Sequence, residues 1–298
     1  MIPAAPPSVP AAWTVSADLL AALLADQHPA LAGQPIVAMG EGWDNVVFGV
    51  GEHWVFRLPR RPEAIPLLER ELRWLPTFAD RLPLPTSVAE WVGAPTPAFP
   101  HPWAGSRLIP GQTGDQGSVD PRRVVPALAA FLQALHQPGP VDGPVNPYRS
   151  IPPRARRPTV ERLADLAPIG LLDRWEAWAA APDPAGPKRW VHGDLHPRNL
   201  IVADGALMGV IDWGDLHVGD VAVDLGAALL LFAPRDWPAF AAAYGPVDPA
   251  TAPRALAWAT VFGLLLADAG RQGPDPAFAR VGGRALAGLA AGALAGWP

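Results

Sequence analysis

The sequence predicts an α+β protein of two lobes: a small antiparallel-sheet lobe with one long helix, and a larger, mainly helical lobe. Two observations lead to this prediction. Short β-branched and aromatic runs punctuated by glycines fill residues 36–58, whereas the chain after Pro110-Gly111 is dominated by helical periodicity. We therefore expect an N-terminal lobe over residues 1–109, including a helical extension over residues 1–35, and a C-terminal lobe over residues 110–298.

The N-terminal lobe contains one helix candidate before its strands and one among them. Residues 16–25 have apolar residues at helical spacing, and the Ser16 hydroxyl can cap their first turn. Leucines at the same spacing predict the long helix over residues 63–80, after Pro59 has ended the preceding strand. Five runs predict strands: residues 36–38, 46–48, 54–56, 87–92 and 103–109.

The C-terminal lobe contains helix candidates and a few short strands. Residues 137–158 include seven prolines, which predicts an irregular loop between the first two helices of this lobe. Helical periodicity marks six segments: residues 121–137, 160–181, 221–232, 234–244, 250–270 and 276–295. Short strands are expected around residues 190–191, 200–202 and 208–211.

The composition excludes several classes of function. With 23 Lys+Arg against 28 Asp+Glu the net charge is −5, so no global positive field is present to hold nucleic acid or an anionic membrane. The absence of cysteine excludes disulfides, thiol nucleophiles and Cys-ligated metals. The first arginine is Arg57 and the longest apolar stretches reach 13 residues, so we expect a cytoplasmic protein with neither an export signal nor a membrane span.

The densest polar cluster is Val-His-Gly-Asp-Leu-His-Pro-Arg-Asn at residues 191–199, followed by Ile-Asp-Trp-Gly-Asp at residues 211–215. Phosphoryl transfer from a nucleoside triphosphate needs a carboxylate that orients and deprotonates the acceptor hydroxyl, and oxygen ligands for Mg²⁺. Asp194, Asn199 and Asp212 supply groups of these types. The pattern therefore predicts a phosphotransferase site.

These motifs resemble those of the aminoglycoside phosphotransferase-like family, whose members share a protein-kinase-like fold. The resemblance covers about residues 35–290. It implies a catalytic base, two Mg²⁺ ligands and a structural acid that supports the catalytic loop, which are respectively Asp194, Asn199 with Asp212, and Asp220. It also implies that ATP or GTP binds with Mg²⁺ between the lobes, near residues 105–111, and donates a phosphoryl group to a hydroxyl.

A glycine-containing segment resembles the nucleotide loop of that family. Gly40 and Gly42 lack a Cβ atom, which lets backbone N–H groups approach phosphate oxygens. Asn45 stands where a third glycine is usual in kinases, so a plain hairpin turn remains an alternative for this segment.

The third strand departs from the kinase pattern in one residue. Arg57 occupies the position of the lysine that contacts the nucleotide phosphates, as it does in macrolide phosphotransferases, which this strand resembles. Arginine keeps the positive charge but presents a bulkier planar fork. The resemblance implies that Glu71 on the long helix pairs with Arg57, and Glu69 is the alternative partner.

The acceptor is predicted to be a hydroxylated small molecule of low positive charge. A site for aminoglycosides, which are polycations, should concentrate carboxylates, but residues 225–298 contain four Asp and no Glu against five Arg. This favours a macrolide, another natural product or a metabolite. Six aromatic residues in the same stretch are either core residues or a wall of the acceptor pocket: Trp237, Phe240, Tyr244, Trp258, Phe262 and Phe278.

Two other classes of function remain open. Arg57 and the incomplete glycine loop are also compatible with a pseudokinase that binds nucleotide without transferring its phosphoryl group. A metal-dependent hydrolase with zinc or manganese is the other alternative. Its candidate ligands are His192, Asp194, His196 and His217. The glycine loop would have no role in such a hydrolase.

Overall fold

The computed structural model describes residues 10–273 and 276–294. Its first helix, α1 (Ala17–Gln27), begins where the Ser16 hydroxyl accepts a hydrogen bond from Leu19 N at 3.1 Å, so the predicted cap is confirmed. Three leucines of α1 are buried in one hydrophobic cluster with the strands that follow. The helix is thereby fixed to the small lobe.

A five-stranded antiparallel sheet forms the small lobe. Its strands are β1 (Ile36–Glu41), β2 (Asn45–Val50), β3 (Trp54–Pro59), β4 (Ala89–Gly93) and β5 (Trp103–Arg107). They lie in the order β1-β2-β3-β5-β4, and every neighbouring pair is antiparallel. The five predicted strands are confirmed, with small shifts at their ends.

The long helix of this lobe is shorter than predicted. The sequence predicted one helix over residues 63–80, but α2 (Ala64–Trp74) gives way to two 3₁₀ turns. Pro76 explains the difference, because it has no N–H to continue the helical hydrogen bonds. Leu75 and Phe78, which follow α2, are buried in the core of the large lobe, so this segment joins the two lobes.

The described part of the large lobe contains seven α-helices. They are α3 (Pro121–Leu135), α4 (Arg157–Arg162), α5 (Leu171–Ala179), α6 (Ala222–Leu229), α7 (Trp237–Tyr244), α8 (Thr251–Gln272) and α9 (Pro276–Ala291). Most residues of α8 are buried, which makes it the central helix of this core. The end of the last predicted helix, residue 295, lies outside the described residues. Within the described ranges, none of the helices is long and apolar enough to span a bilayer.

One predicted helix of the large lobe is wrong. The sequence predicted a continuous helix over residues 160–181, but the structure has α4 and α5 with a break between them. Pro168 lies in this break, and Gly170 has a φ of 77°, a left-handed conformation that glycine adopts without steric cost. These two residues outweigh the apolar periodicity on either side.

Short strands of the large lobe hold the two polar motifs. They are β6 (Gln112–Thr113), β7 (Arg189–Val191), β8 (Leu200–Ala203), β9 (Ala206–Val210) and β10 (His217–Gly219). β6, β8 and β9 form one sheet, and β7 pairs with β10 in another. The sequence did not predict β6 and β10, which have only two and three residues. The loop after β7 and the turn after β9 both face the small lobe across a cleft.

Candidate active site

A cleft of about 310 Å³ lies between the two lobes. Leu108 and Ile109, in the connection after β5, line this cleft. They lie in the segment near which the sequence analysis expects the nucleotide to bind, residues 105–111. Seven of the eight predicted site residues also line this cleft: Gly40, Gly42, Asn45, Arg57, Asp194, Asn199 and Asp212. The eighth, Glu71, is buried behind Arg57. Residues far apart in the chain are thus brought to one site.

Asp224 in α6 holds the loop over residues 192–199. His192 N and Gly193 N donate hydrogen bonds to its two carboxylate oxygens at 2.8 and 2.9 Å. The Nε2 atom of His136 lies 3.2 Å from the same carboxylate. Burial opposes ionisation of Asp224, but the hydrogen bond and charge of His136 and the Gly193 N–H outweigh it and lower its pKa. A buried carboxylate therefore anchors the backbone of this loop.

This finding corrects the role implied for Asp220. The Asp220 carboxylate binds the Arg254 guanidinium and accepts a hydrogen bond from Ala222 N at the start of α6. It therefore fixes α6 to α8, whereas Asp224, four residues further on, holds the loop over residues 192–199. A carboxylate inside a helix carries no local signal of such a role, so the sequence pattern alone did not separate the two acids.

Asp194 is half-buried at the floor of the cleft and is held by three side chains. Arg149 Nη2 donates to its Oδ1 at 3.3 Å, and His196 Nε2 lies 3.3 Å from its Oδ2. Asn199 Nδ2 donates to its main-chain oxygen at 2.8 Å. Burial alone would raise the pKa of Asp194, but His196 and Arg149 outweigh burial and hold that pKa below its usual range. At neutral pH the group is a carboxylate that can accept a proton.

Asp212 follows β9 and opens onto the cleft. Its φ of 63° lies in the left-handed region, which costs a residue other than glycine about 1–3 kcal/mol. Desolvation by the surrounding protein raises the pKa of Asp212 to about 7; the positive charge of Arg57 opposes this effect, and the Glu71 carboxylate adds to it. A cation placed beside this carboxylate would favour its ionised form.

Asn199 and Asp212 together fit a magnesium ion. Asn199 uses its Nδ2 to bind Asp194, which leaves its Oδ1 as the atom that can ligate. An amide oxygen and a carboxylate are donors that Mg²⁺ prefers, and Mg²⁺ usually completes its shell with waters and substrate phosphates. Across residues 10–273 and 276–294 no group of three or more His, Asp or Glu is arranged to hold a metal.

Arg57 and Glu71 form a two-pronged ion pair at the cleft. Arg57 Nη1 donates to Glu71 Oε2 at 3.1 Å, and Nη2 donates to the other carboxylate oxygen. Both side chains are largely buried, whereas Glu69 is exposed. Since the charges are paired and enclosed, α2 holds the guanidinium in one position at the wall of the cleft.

The glycine segment is the β1–β2 hairpin, and two arginines at the end of β3 brace it. Gly42 N donates to Asn45 O at 2.8 Å across the turn. Arg60 Nη1 donates to Gly42 O at 3.2 Å, and Arg61 Nε donates to the Asp44 carboxylate at 2.7 Å. The segment is therefore a hairpin turn, and this turn also lines the cleft.

The histidines proposed for a hydrolase have other partners. His192 Nε2 lies 3.1 Å from Ile211 O, and His217 Nδ1 lies 2.9 Å from Asp215 O. Burial lowers the pKa of His192 and lowers that of His217 to about 4, so both rings are neutral. These two side chains join backbone segments below the cleft, and His196 alone of the three histidines lines it.

The proline-rich loop contributes residues that the sequence analysis missed. Arg149 comes from this loop and lines the cleft beside Asp194. Asn146, also from the loop, is buried and donates to Asp215, which lines the cleft. An asparagine and an arginine among prolines were the available signals, but only the fold brings them to the site.

Aromatic residues form part of the wall opposite the small lobe. Phe262 of α8 and Phe278 of α9 line the cleft. The Arg149 guanidinium lies 4.7 Å from the ring centre of Phe262, and that of Arg198 lies 3.9 Å from that of Phe278. The other four aromatics that the sequence offered pack in or against the core: Trp237, Phe240, Tyr244 and Trp258.

The model of the phosphotransferase enzyme family matches residues 35–258 of the chain. The chain belongs to this phosphotransferase family. A curated relative is the uncharacterized protein YcbJ of Bacillus subtilis (strain 168). It is 28% identical over 214 residues, which are 64% of this chain and 68% of that protein.

Solved structures of phosphotransferases share the fold of this family member. The GDP complex of an aminoglycoside 2'-phosphotransferase-IIIa aligns with a TM-score of 0.69 at 22% identity, over 91% of this chain and 97% of the other. The macrolide 2'-phosphotransferase MphH from Brachybacterium faecium aligns with a TM-score of 0.60 at 23% identity, over 90% and 98%. The two-lobed protein-kinase-like fold is therefore confirmed.

Proposed function

We propose that the chain is a nucleoside-triphosphate-dependent O-phosphotransferase that acts on a hydroxyl of a small molecule. The observation that carries this proposal is the meeting of Asp194, Asp212 and the Arg57–Glu71 pair in one cleft between the lobes. A carboxylate, a metal-binding pair and a fixed cation are the parts that phosphoryl transfer needs. In this proposal the small lobe, up to about residue 110, binds the nucleotide.

Each of these groups has a distinct role in the proposed reaction. Asp194 orients the acceptor hydroxyl and takes its proton as the oxygen attacks the γ-phosphorus atom. The bond from that phosphorus to the β-phosphate oxygen breaks, and ADP or GDP leaves. Arg57, held by Glu71, binds phosphate oxygens, and the β1–β2 hairpin covers them. Asn199 and Asp212 would hold Mg²⁺, whose charge offsets the negative charge on the phosphate oxygens.

The acceptor in this proposal is an alcohol of low positive charge, such as a macrolide, another natural product or a metabolite. Residues 225–298 contain four Asp and no Glu against five Arg, so they offer few carboxylates for a polycation. Phe262 and Phe278 of this stretch line the cleft. Solved relatives include enzymes named for both aminoglycosides and macrolides. Equal turnover of aminoglycosides with no turnover of neutral alcohols would overturn this choice of acceptor.

Nucleotide binding tests the proposal before any acceptor is known. We expect the thermal stability of the protein to rise with ATP or GTP only when Mg²⁺ is present, and the rise to disappear in Asp212→Gly. Glycine removes the carboxylate without straining a φ of 63°. At a nucleotide concentration 100 times the dissociation constant the stabilisation is about 2.7 kcal/mol.

The matched control is Asp204→Gly. Asp204, in the β8–β9 turn, is the other non-glycine residue with a positive φ in the described chain, at 49°, and it does not line the cleft. The Asp204→Gly variant should show the same rise of thermal stability with Mg²⁺ and nucleotide as the wild type. If neither nucleotide stabilises the wild type, the kinase function is wrong. If nucleotide binds but no acceptor receives a phosphoryl group, the chain is a pseudokinase.

A further inference from the structure

Asn146 connects the proline-rich loop to the turn after β9. Its side chain is 1% exposed. Its Nδ2 donates to Asp215, at 2.5 Å to Oδ1 and 3.3 Å to the main-chain oxygen. Its Oδ1 accepts hydrogen bonds from Tyr148 N at 2.8 Å and Arg149 N at 3.1 Å. One buried amide therefore fixes both the backbone that carries Arg149 and the Asp215 carboxylate.

Arg149 in turn binds two consecutive residues of the loop over residues 192–199. Its Nε donates to Gly193 O at 2.9 Å, and its Nη2 donates to Asp194 Oδ1 at 3.3 Å. The guanidinium lies over the ring of Phe262, and the side chain is 12% exposed. The planar group is thus held on one face by an aromatic ring while its edge binds the loop.

We propose that Arg149 is a positioning residue for phosphoryl transfer, acting through the Asp194 carboxylate, and that Asn146 is its anchor. The proposal rests on the proposed function, in which Asp194 is the base. By binding the backbone and the side chain at once, the guanidinium fixes the rotamer of that carboxylate toward the acceptor. The proline-rich loop thereby becomes part of the catalytic machinery.

The shape of the guanidinium matters in this proposal, as well as its charge. A lysine at position 149 would place one ammonium near the carboxylate, but it has no second rigid N–H to bind Gly193 O at the same time. A role limited to charge would survive that change. In the described ranges, the hydrogen bonds of the Arg149 side chain go to the catalytic loop and none to the small lobe, so nucleotide binding should not depend on it.

The test compares Arg149→Lys and Arg149→Met with the wild type. Phosphoryl transfer from Mg²⁺-bound ATP or GTP is measured with water as acceptor, followed as nucleotide hydrolysis, and with any alcohol found in an acceptor panel. We expect kcat to fall about 10- to 100-fold in both variants, because a displacement of about 1 Å at the reacting group has an effect of that order. The KM for nucleotide should change less than about twofold.

Two further variants make the result specific. Added guanidinium ion should restore part of kcat in Arg149→Ala, since it can occupy the vacated position, which a purely structural loss would not allow. Arg154→Met is the matched control, because Arg154 belongs to the same proline-rich segment, residues 137–158, but is exposed and pairs with Asp183. It should retain the wild-type kcat and KM.

Several outcomes would overturn the proposal. An unchanged kcat in Arg149→Met, or full activity in Arg149→Lys, would mean that the fork does not position Asp194. A raised nucleotide KM with kcat intact would assign Arg149 to nucleotide binding instead. A wild-type protein that binds no Mg²⁺-bound nucleotide would remove the proposed function itself, and this proposal with it, so the two failures are distinguishable.

Discussion

The two sides of the cleft are built in different ways. On the small-lobe side, a regular sheet and the bidentate Arg57–Glu71 pair fix the groups that face the cleft. On the large-lobe side, the active groups sit on irregular loops, which are held by two buried polar residues, Asp224 and Asn146.

This difference determines how strongly the loss of one side chain affects each side of the cleft. A sheet spreads its backbone hydrogen bonds over many residues, so the loss of one side chain leaves the frame intact. A loop held by one buried polar group concentrates its support, and removing that group leaves several buried donors or acceptors without partners. We therefore expect single substitutions to have larger effects on the large-lobe side.

The largest expected effect is a loss of kcat, without a loss of nucleotide affinity, when a group on the large-lobe side is replaced. Replacing Asp194 with Asn removes the base while nearly preserving the size of the side chain, so kcat should fall about 10²- to 10⁴-fold. The dissociation constant for Mg²⁺-bound nucleotide should stay close to that of the wild type, because Arg57 and Asp212 are untouched. Steady-state kinetics together with calorimetric titration measure both quantities.

Asp142→Asn is the control for that change, since Asp142 is exposed in the proline-rich loop. It should behave as the wild type in both measurements. A loss of nucleotide affinity as large as the loss of kcat in Asp194→Asn would contradict the separation of the two sides.

The second effect concerns the free energy of unfolding. Asp224→Ala leaves His192 N and Gly193 N without their buried acceptor and the Nε2 atom of His136 without its partner, and we expect a loss of about 3–5 kcal/mol. On the other side of the cleft, Asp44→Ala breaks a partly exposed pair with Arg61, for which about 0.2–1 kcal/mol is expected.

Urea unfolding of both variants measures this contrast. Equal losses in the two variants would mean that support is not concentrated on the large-lobe side. A small loss in Asp224→Ala alone would show that other contacts suffice to hold the catalytic loop.

The smallest effect is a pH dependence that belongs to the large-lobe side. Burial lowers the pKa of His217 to about 4, whereas an unfolded histidine titrates near 6.5. Between these values the unfolded chain binds a proton that the folded protein does not, so the free energy of unfolding falls as the pH falls. The loss from this group is about 1 kcal/mol between pH 7 and pH 5.5.

Urea unfolding at these two pH values, in the wild type and in His217→Asn, isolates this contribution. The stability of the variant should fall about 1 kcal/mol less than that of the wild type over this interval. Parallel pH profiles for the two proteins would show that His217 does not stay neutral in the fold.

Much of the fold could be predicted because its signals are local. The Ser16 cap and the five strand runs of the small lobe depend on residues next to each other in the chain. The continuous helix over residues 160–181 was wrong, although Pro168 and Gly170 were visible in the sequence, because periodicity was given more weight than the two breakers. β10 could not be predicted, since its three residues form a strand only by pairing with β7.

The candidate site divides in the same way. Asp194, Asn199 and Asp212 lie in two short motifs, and the structure brings all three to the cleft, while their catalytic roles stay predictions. The sequence analysis missed that Asp224 and Arg149 hold the loop over residues 192–199. Each contacts a residue at least 31 positions away in the chain, to which no local pattern points. Sequence motifs therefore indicated which polar groups line the cleft but not the groups that hold them in place.

The arginine on β3 also determines which labelling chemistry can act on the small-lobe side of the cleft. The sequence contains one lysine, Lys188, which is exposed and does not line the cleft. Nucleotide analogues that acylate amines, and so tag a kinase through its lysine, have no amine there to attack. The guanidinium of Arg57 stays protonated and is a poor nucleophile. Covalent profiling through lysine would therefore leave this cleft unlabelled.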